Sequence, residues 1–465
     1  MLLNRRKLKN FLQLAKQTLD IKRRGPGPAV CFTELGDSFT ITASWNDTWL
    51  EYRESGEFDF SRCTLPWEGL VECSAVTVDD LTLTMERNCN IVEWTTESVT
   101  EMRSYSDGPS DEYGTFPTAE SLRCMEASLI PALKEASQTA THESSRYALA
   151  CLLLRGKKKD LVATDSRQLL IQKGFDWPWD DDVLIPASRC FRSAKLRQAA
   201  QAGPVEVGRS EQHLVLRIGC WRMALPIVTE TRFPDVDTII PRAEDSRTTL
   251  ILDDVDREFL GQTLRNLPET DRGAVTFELN GSVAVRASPE ESAGRELVLR
   301  KSRKQGVDLS INTDRRYLQR VADLGLLKIE LRDQNTPLVA RTQEQTYVWM
   351  GFSGDPKPRP KNIEQIESPT KPTKSRSTIQ PPTRKPKPMS KNGTSQTSKS
   401  QSSNESNDSD QIDQMIEQAT TIKSQLKELQ SELQNLITAL RNQKKQARIV
   451  RSTIDSLQKL NTLQV

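Results

Sequence analysis

The sequence predicts an α+β protein made of three tandem domains, followed by two C-terminal segments of different character. Three observations carry this reading. A helix–strand–helix–strand pattern recurs three times in the first 352 residues, and the second helix of each round begins near Leu65, Pro186 and Thr313, spacings of 121 and 127 residues. Residues 353–410 are rich in Pro, Ser, Lys and Thr and hold almost no large apolar residue. From residue 411 a heptad pattern begins. A chain of 465 residues has room for about three domains. The expected boundaries are 1–117, 118–243 and 244–352 for the domains, 353–410 for a disordered basic linker and 411–465 for a coiled coil.

In the first round, Arg5 to Asp20 places Leu8, Phe11, Leu12, Leu14 and Leu19 among basic and polar residues, which predicts an amphipathic helix. Strand-like alternation follows over Ser38–Tyr52, a short helix over Leu65–Ala75, then strands at Leu81–Met85 and Ile91–Thr95. The round closes at Phe116-Pro117, and the next closes 117 residues later at Phe233-Pro234. That second round predicts a helix over Ser121–Thr139, a strand meander over Tyr147–Ile171, a short helix over Pro186–Ala199 and strands through Leu214–Leu225. The third predicts helices at Asp254–Leu267 and Thr313–Leu324, with strands at Ala274–Leu279, Val283–Ala287, Leu327–Arg332 and Thr346–Met350.

The meander carries the most specific signal. His142, Arg146, Tyr147 and Leu149 enter one strand, and Val162-Ala163-Thr164-Asp165 ends the next. This order resembles the middle domain of the bacterial DNA sliding clamp, the beta subunit of the replicative DNA polymerase III. The likeness extends over residues 1–352 through Thr231-Arg232-Phe233-Pro234-Asp235, Ile239-Ile240-Pro241, Ser310-Ile311-Asn312, Tyr317-Leu318 and Tyr347-Val348-Trp349-Met350.

The resemblance implies three clamp domains with two helices on sheets in each. Two chains would join head to tail in a closed ring, as a homodimer, with the helices lining the hole around double-stranded DNA. It implies a processivity factor for DNA replication that tethers polymerase, clamp loader and other proteins carrying a clamp-binding motif. A sliding ring needs phosphate contacts without base readout, and the candidate DNA-binding residues are Lys9, Lys16, Arg23, Arg24, Arg192, Lys195, Arg197, Arg315 and Arg316. Any solvated helix face is charged, so they are candidates as a group. The partner-peptide pocket implied by the resemblance maps to Thr164, Leu169, Pro241, Tyr347, Val348 and Met350. Here the chain departs from the family pattern: Ser166, Arg167 and Gln168 stand where glycine, histidine and arginine are usual, and Gly351-Phe352 follows Met350 instead of a proline near the chain end. The first-domain strand expected to close the ring, Ser98–Tyr105, is mostly polar.

Between Pro356 and Ser400 eleven Lys or Arg face two Glu, a composition suited to a solvated tether or to salt-sensitive DNA contacts. The heptad positions from Ile412 to Leu457 are apolar except Gln443, a coiled-coil pattern that fits self-association or a helical partner. A clamp-like scaffold acting through this coiled coil, without encircling DNA, is therefore the rival reading. Net charge is near neutral, with 65 basic against 63 acidic residues, and names no partner. Eight cysteines without a Cys-x-x-Cys pair and only two histidines predict reduced structural thiols, no metal and no cofactor. No phosphate-binding glycine loop or nucleophile motif predicts an enzyme. With no apolar run long enough to span a membrane, the expected location is cytoplasmic and nucleoid-associated.

Overall fold

The computed structural model describes residues 2–370 except 23–25, 35, 56–61, 77–79, 86–88, 97–98, 107–113, 142–146, 290–292, 357 and 361; the heptad run lies outside the described residues. The first repeat runs β1 (Leu2–Asn4), α1 (Arg5–Thr18), β2 (Val30–Glu34), β3 (Ser38–Trp45), β4 (Thr48–Ser55), β5 (Arg62–Leu65), α2 (Trp67–Ala75), β6 (Asp80–Met85), β7 (Cys89–Thr96) and β8 (Val99–Ser106). The second runs β9 (Arg123–Met125), α3 (Leu129–Thr139), β10 (Cys151–Arg155), β11 (Asp160–Thr164), β12 (Gln168–Lys173), β13 (Asp182–Pro186), a 3-10 turn (Arg189–Arg192), α4 (Ala194–Ala202), β14 (Val205–Arg209), β15 (His213–Ile218) and β16 (Trp221–Pro226). The third runs β17 (Thr248–Ile251), α5 (Asp254–Thr263), β18 (Ala274–Glu278), β19 (Ala284–Ala287), β20 (Gly294–Val298), β21 (Arg303–Gly306), β22 (Ser310–Asp314), α6 (Arg315–Asp323), β23 (Lys328–Leu331), β24 (Leu338–Arg341) and β25 (Gln345–Trp349). One more strand, β26 (Ile363–Glu367), comes after the third repeat.

Four sheets result. The outer two are β1-β6-β7-β8 and β22-β18-β19-β20-β26. The inner two cross from one repeat to the next, as β5-β2-β3-β4-β16-β15-β14-β9 and β13-β10-β11-β12-β25-β24-β23-β17-β21. Both crossings are antiparallel and follow one rule: the third strand of a meander takes the last strand of the next repeat, β4 on β16 and β12 on β25.

Local chemistry explains the helices. Asn4 caps α1 by accepting from the Arg6 amide at 3.0 Å, and Leu8, Phe11, Leu12 and Ala15 form its buried stripe. The helix expected from Ser121 begins only at Leu129, because Pro131 has no amide hydrogen and fits only the first turn; residues 123–125 pair instead with β14. The helix expected over Pro186–Ala199 is split at Ser193, whose hydroxyl accepts from the Lys195 amide at 3.3 Å and starts α4 afresh. At the β10–β11 turn, a Cβ on Gly156 would lie 2.4 Å from the Trp179 carbonyl oxygen, so only glycine lets the chains approach there. One core joins the first two repeats around Phe11, Leu14 and Phe191, and a second fills the third repeat around Phe277, Tyr347 and Trp349. A smaller cluster under the second inner sheet holds Val162, Leu169, Ile171, Phe233, Val236, Val339 and Val348.

A linker free of structure was expected from residue 353. That expectation is corrected at β26, which pairs in parallel with β20 over five residues, Gly294 to Val298 against Ile363 to Glu367. Composition hides this strand because its two apolar residues, Ile363 and Ile366, stand three apart, off the two-residue period of a strand, in a basic, proline-rich setting.

Candidate nucleic-acid interface and peptide groove

The helices lie in one row. α2 packs on α1, α1 on the Arg189–Arg192 turn, that turn on α3, and α5 on α6. Arg320 of α6 closes the remaining gap. It binds the Glu135 carboxylate, donates to Gln138 Oε1 at 2.9 Å and donates to the Glu135 carbonyl at 2.7 Å, all on α3.

Along this row the expected cations divide into two groups. Lys9 and Lys16 share the exposed stripe of α1, seven residues apart and opposite its buried face, and Arg197 is exposed on α4. No described carboxylate pairs with any of the three within salt-bridge distance. Arg316 is also exposed, its guanidinium held at 2.6 Å on the capping carboxylate of Asp314.

The second group is committed to structure. Arg315 donates to the carbonyls of Leu267 and Pro268 at 2.7 and 2.5 Å, satisfying the chain that leaves α5. Arg192 is half-buried and donates to the Ser137 carbonyl at 2.6 Å; burial and the nearby Arg189 and Arg320 charges depress its pKa. Lys195 ties α4 to α1 through Asn10. Arg23 and Arg24 lie outside the described residues. The exposed group can meet phosphates, and its spread over several helices suits contact with a charged backbone more than readout of bases at one point.

The pocket residues fall partly together. Thr164 stands opposite Leu169, Leu169 opposite Val348 and Val348 opposite Val339, one row across four strands. Phe233, Val236 and Ile240 of the segment between the second and third repeats pack against this row. Thr164, Leu169 and Val348 are accordingly buried, whereas Met350 is 41% exposed and Pro241 half-exposed. Met350 is fixed at the rim by its amide, which donates to the Arg167 carbonyl at 3.1 Å. The β11–β12 turn beside it is held by Asp165, which accepts from the amides of Arg167 and Gln168 at 2.8 and 2.9 Å, with Ser166 at a left-handed φ of 76°.

Tyr347 corrects the expectation. Strand alternation turns it to the other face, where it is fully buried, stacks on Trp349 at 5.4 Å and donates to Gln168 Oε1 at 2.8 Å. It therefore supports the row from behind and does not line it.

Sequence reading missed a clasp at the same junction. Arg155 ends β10 with its side chain only 7% exposed. It grips Asp160 through two 2.7 Å bonds and reaches Asp237, in the segment between repeats, at 2.8 and 3.0 Å. Lys158 reaches the same Asp237 carboxylate at 2.5 Å. Arg, Asp and Lys spaced within six residues could have signalled it, but the 82-residue separation of Asp237 from Arg155 could not.

The fold is that of a DNA sliding clamp. The solved structures it resembles include the DNA polymerase sliding clamp of Pseudomonas aeruginosa, with a TM-score of 0.62 and 19% identity over 76% of this chain and 99% of that one. The DNA polymerase III beta subunit of Thermotoga maritima gives 0.62 and 18%, and the beta sliding clamp of C. crescentus 0.64 and 16%, with the same coverage. No family model matches the chain, and no curated protein sequence does. The chain thus carries a bacterial clamp fold on a strongly diverged sequence. Among the described residues no cysteine is joined in a disulfide, and no helix is long and apolar enough to cross a membrane.

Proposed function

We propose that the chain is a non-enzymatic processivity clamp that encircles duplex DNA as a head-to-tail homodimer and tethers a DNA polymerase, its loader and other replication or repair proteins in the bacterial cytoplasm. The observation that supports this most is the helix row: Lys9, Lys16, Arg197 and Arg316 are exposed on helices that pack in succession, with sheets in the clamp arrangement. Partner peptides would enter at the Met350–Pro241 rim, with an apolar anchor sliding under Ile240 onto Leu169 and Val348.

The electrostatic part is testable in solution. Alanine at Lys9, Lys16 or Arg197 should weaken duplex binding equally across sequences and lower the slope of log affinity against log salt by about one for each phosphate no longer neutralised. Arg315→Ala should instead lower thermal stability. An unchanged salt slope in the triple Lys9, Lys16 and Arg197 variant would sink the assignment of this face to DNA.

One observation favours a second reading, a clamp-like scaffold that acts through its C-terminal segment without encircling DNA. The outer edge of β20, where a ring would close, is already paired with β26.

A further inference from the structure

The two inner sheets state a rule of assembly, and its third application has no partner within the repeats. β4 takes β16 and β12 takes β25, each time the third meander strand of one repeat with the last strand of the next. The next third strand is β20. Among the described residues, the last strand without a predecessor is β8, in the first repeat. Head-to-tail closure therefore means β20 of one copy on β8 of another.

Among the described residues no strand pairs with the outer edge of β8, and seven of its eight residues are exposed, with Val99 and Met102 at 61% and 59%. Long uncovered edges are what folded proteins avoid. The edge of β20 is not bare, but what covers it breaks the rule. β26 runs parallel to β20, whereas both junctions are antiparallel, and parallel ladders are slightly the weaker per residue.

The contacts of β26 are those of a detachable strand. Arg295 binds Glu364 at 2.7 Å and Arg300 binds Glu367, pairs exposed enough that water competes for them. Of the residues in the strand, Ile366 packs on the core of the third repeat. The firmest points are Glu296, which accepts from Arg359 and Gln365 at 2.6 Å each, and Ser368, whose amide donates to the Val298 carbonyl at 2.9 Å.

We propose that β26 is a removable cap on the closing edge: β20 pairs either with β26 of its own chain or with β8 of a second copy, and the C-terminal segment thereby controls whether two copies can join. The proposal deepens the clamp reading and rests on it only for what the joined state is used for.

The test uses the full chain with a photo-crosslinking amino acid at position 102 and a mixture of isotopically heavy and light copies, so that adducts between copies are distinguished by mass. In one form Glu364→Arg and Glu367→Arg set like charges against Arg295 and Arg300. In the other, Arg295→Cys and Glu364→Cys, register partners in the ladder, are joined as a disulfide, with Cys124→Ser and Cys220→Ser removing the exposed thiols. Thermal melting checks that each form is folded.

The cap proposal expects adducts between copies that map to residues 294–298, at least tenfold more in the charge-reversed chain than in the parent and in the reduced lock than in the oxidised one. Equal adduct yield from the oxidised and reduced lock overturns it, as does a folded charge-reversed chain with no adduct on 294–298. Retention on circular DNA, measured separately, reports on the clamp reading: adducts without retention leave the cap standing and the clamp function lost, and retention by the oxidised lock does the reverse.

Discussion

Arg155→Ala is expected to remove about 3–5 kcal/mol of stability, because it strands a buried carboxylate. Asp160 keeps a side-chain exposure of only 4%, and both its short bonds come from Arg155. The same change leaves Asp237 held by Lys158 alone, so the segment that roofs Leu169 and Val348 is anchored less firmly as the fold weakens. Chemical denaturation gives the first effect, and hydrogen exchange at residues 233–241 gives the second. A loss below about 1 kcal/mol, the value of a surface pair, would show that the clasp is not buried in solution. Acid supplies a milder probe. Burial pushes the Asp237 carboxyl up, but hydrogen bonds from Lys158 and Arg155 more than offset this and hold it below the usual range. A depressed carboxylate stabilises the fold above its unfolded pKa and loses that contribution as pH falls through the folded one. Asp237→Asn should therefore be less stable than the parent at neutral pH, and the two should converge as pH falls below the ordinary carboxylate range.

Trp349→Ala should cost a similar amount, about 3–5 kcal/mol, through a cavity at the junction of the second and third repeats. The indole is 1% exposed, stacks on Tyr347 and donates to Thr313 Oγ1 at 3.1 Å. Its backbone pairs with Gln168 across the inner sheet, so the loss bears on the seam itself. Trp349→Phe keeps most of the volume and leaves the Thr313 hydroxyl without its donor, so it should fall between parent and alanine. Equal stability of all three forms would mean that the seam is held elsewhere.

Much of this architecture was legible in the chain. Apolar spacing located α1, α5 and the β10–β12 meander to within a few residues, since a stripe such as Leu8, Phe11, Leu12 and Ala15 has one helical solution. The errors have local causes. Pro131 stopped a helix that periodicity would have run back to Ser121, and Ser193 restarted another. At the candidate sites, residue type marked the cations without separating Lys9, Lys16 and Arg197, which face solvent, from Arg315, which holds carbonyls. Only the fold makes that distinction, because it depends on what lies opposite each side chain. Tyr347 shows the same limit. Its neighbours Val348 and Met350 reach the groove, and the two-residue period of a strand turns it away. β26 was hidden more deeply, since five residues that pair in parallel with a strand 69 positions earlier leave almost no trace in composition.

The claim that two copies encircle DNA is tested most directly by topology. The full chain and its Glu364→Arg, Glu367→Arg form are loaded onto nicked circular duplex with a bacterial clamp loader and washed at high salt, after which the circle is linearised. The clamp reading predicts retention through the salt wash and release on linearisation, with more protein retained by the charge-reversed form. Loss of both forms during the salt wash, from circles and linear duplex alike, would contradict it and leave only contacts to phosphate.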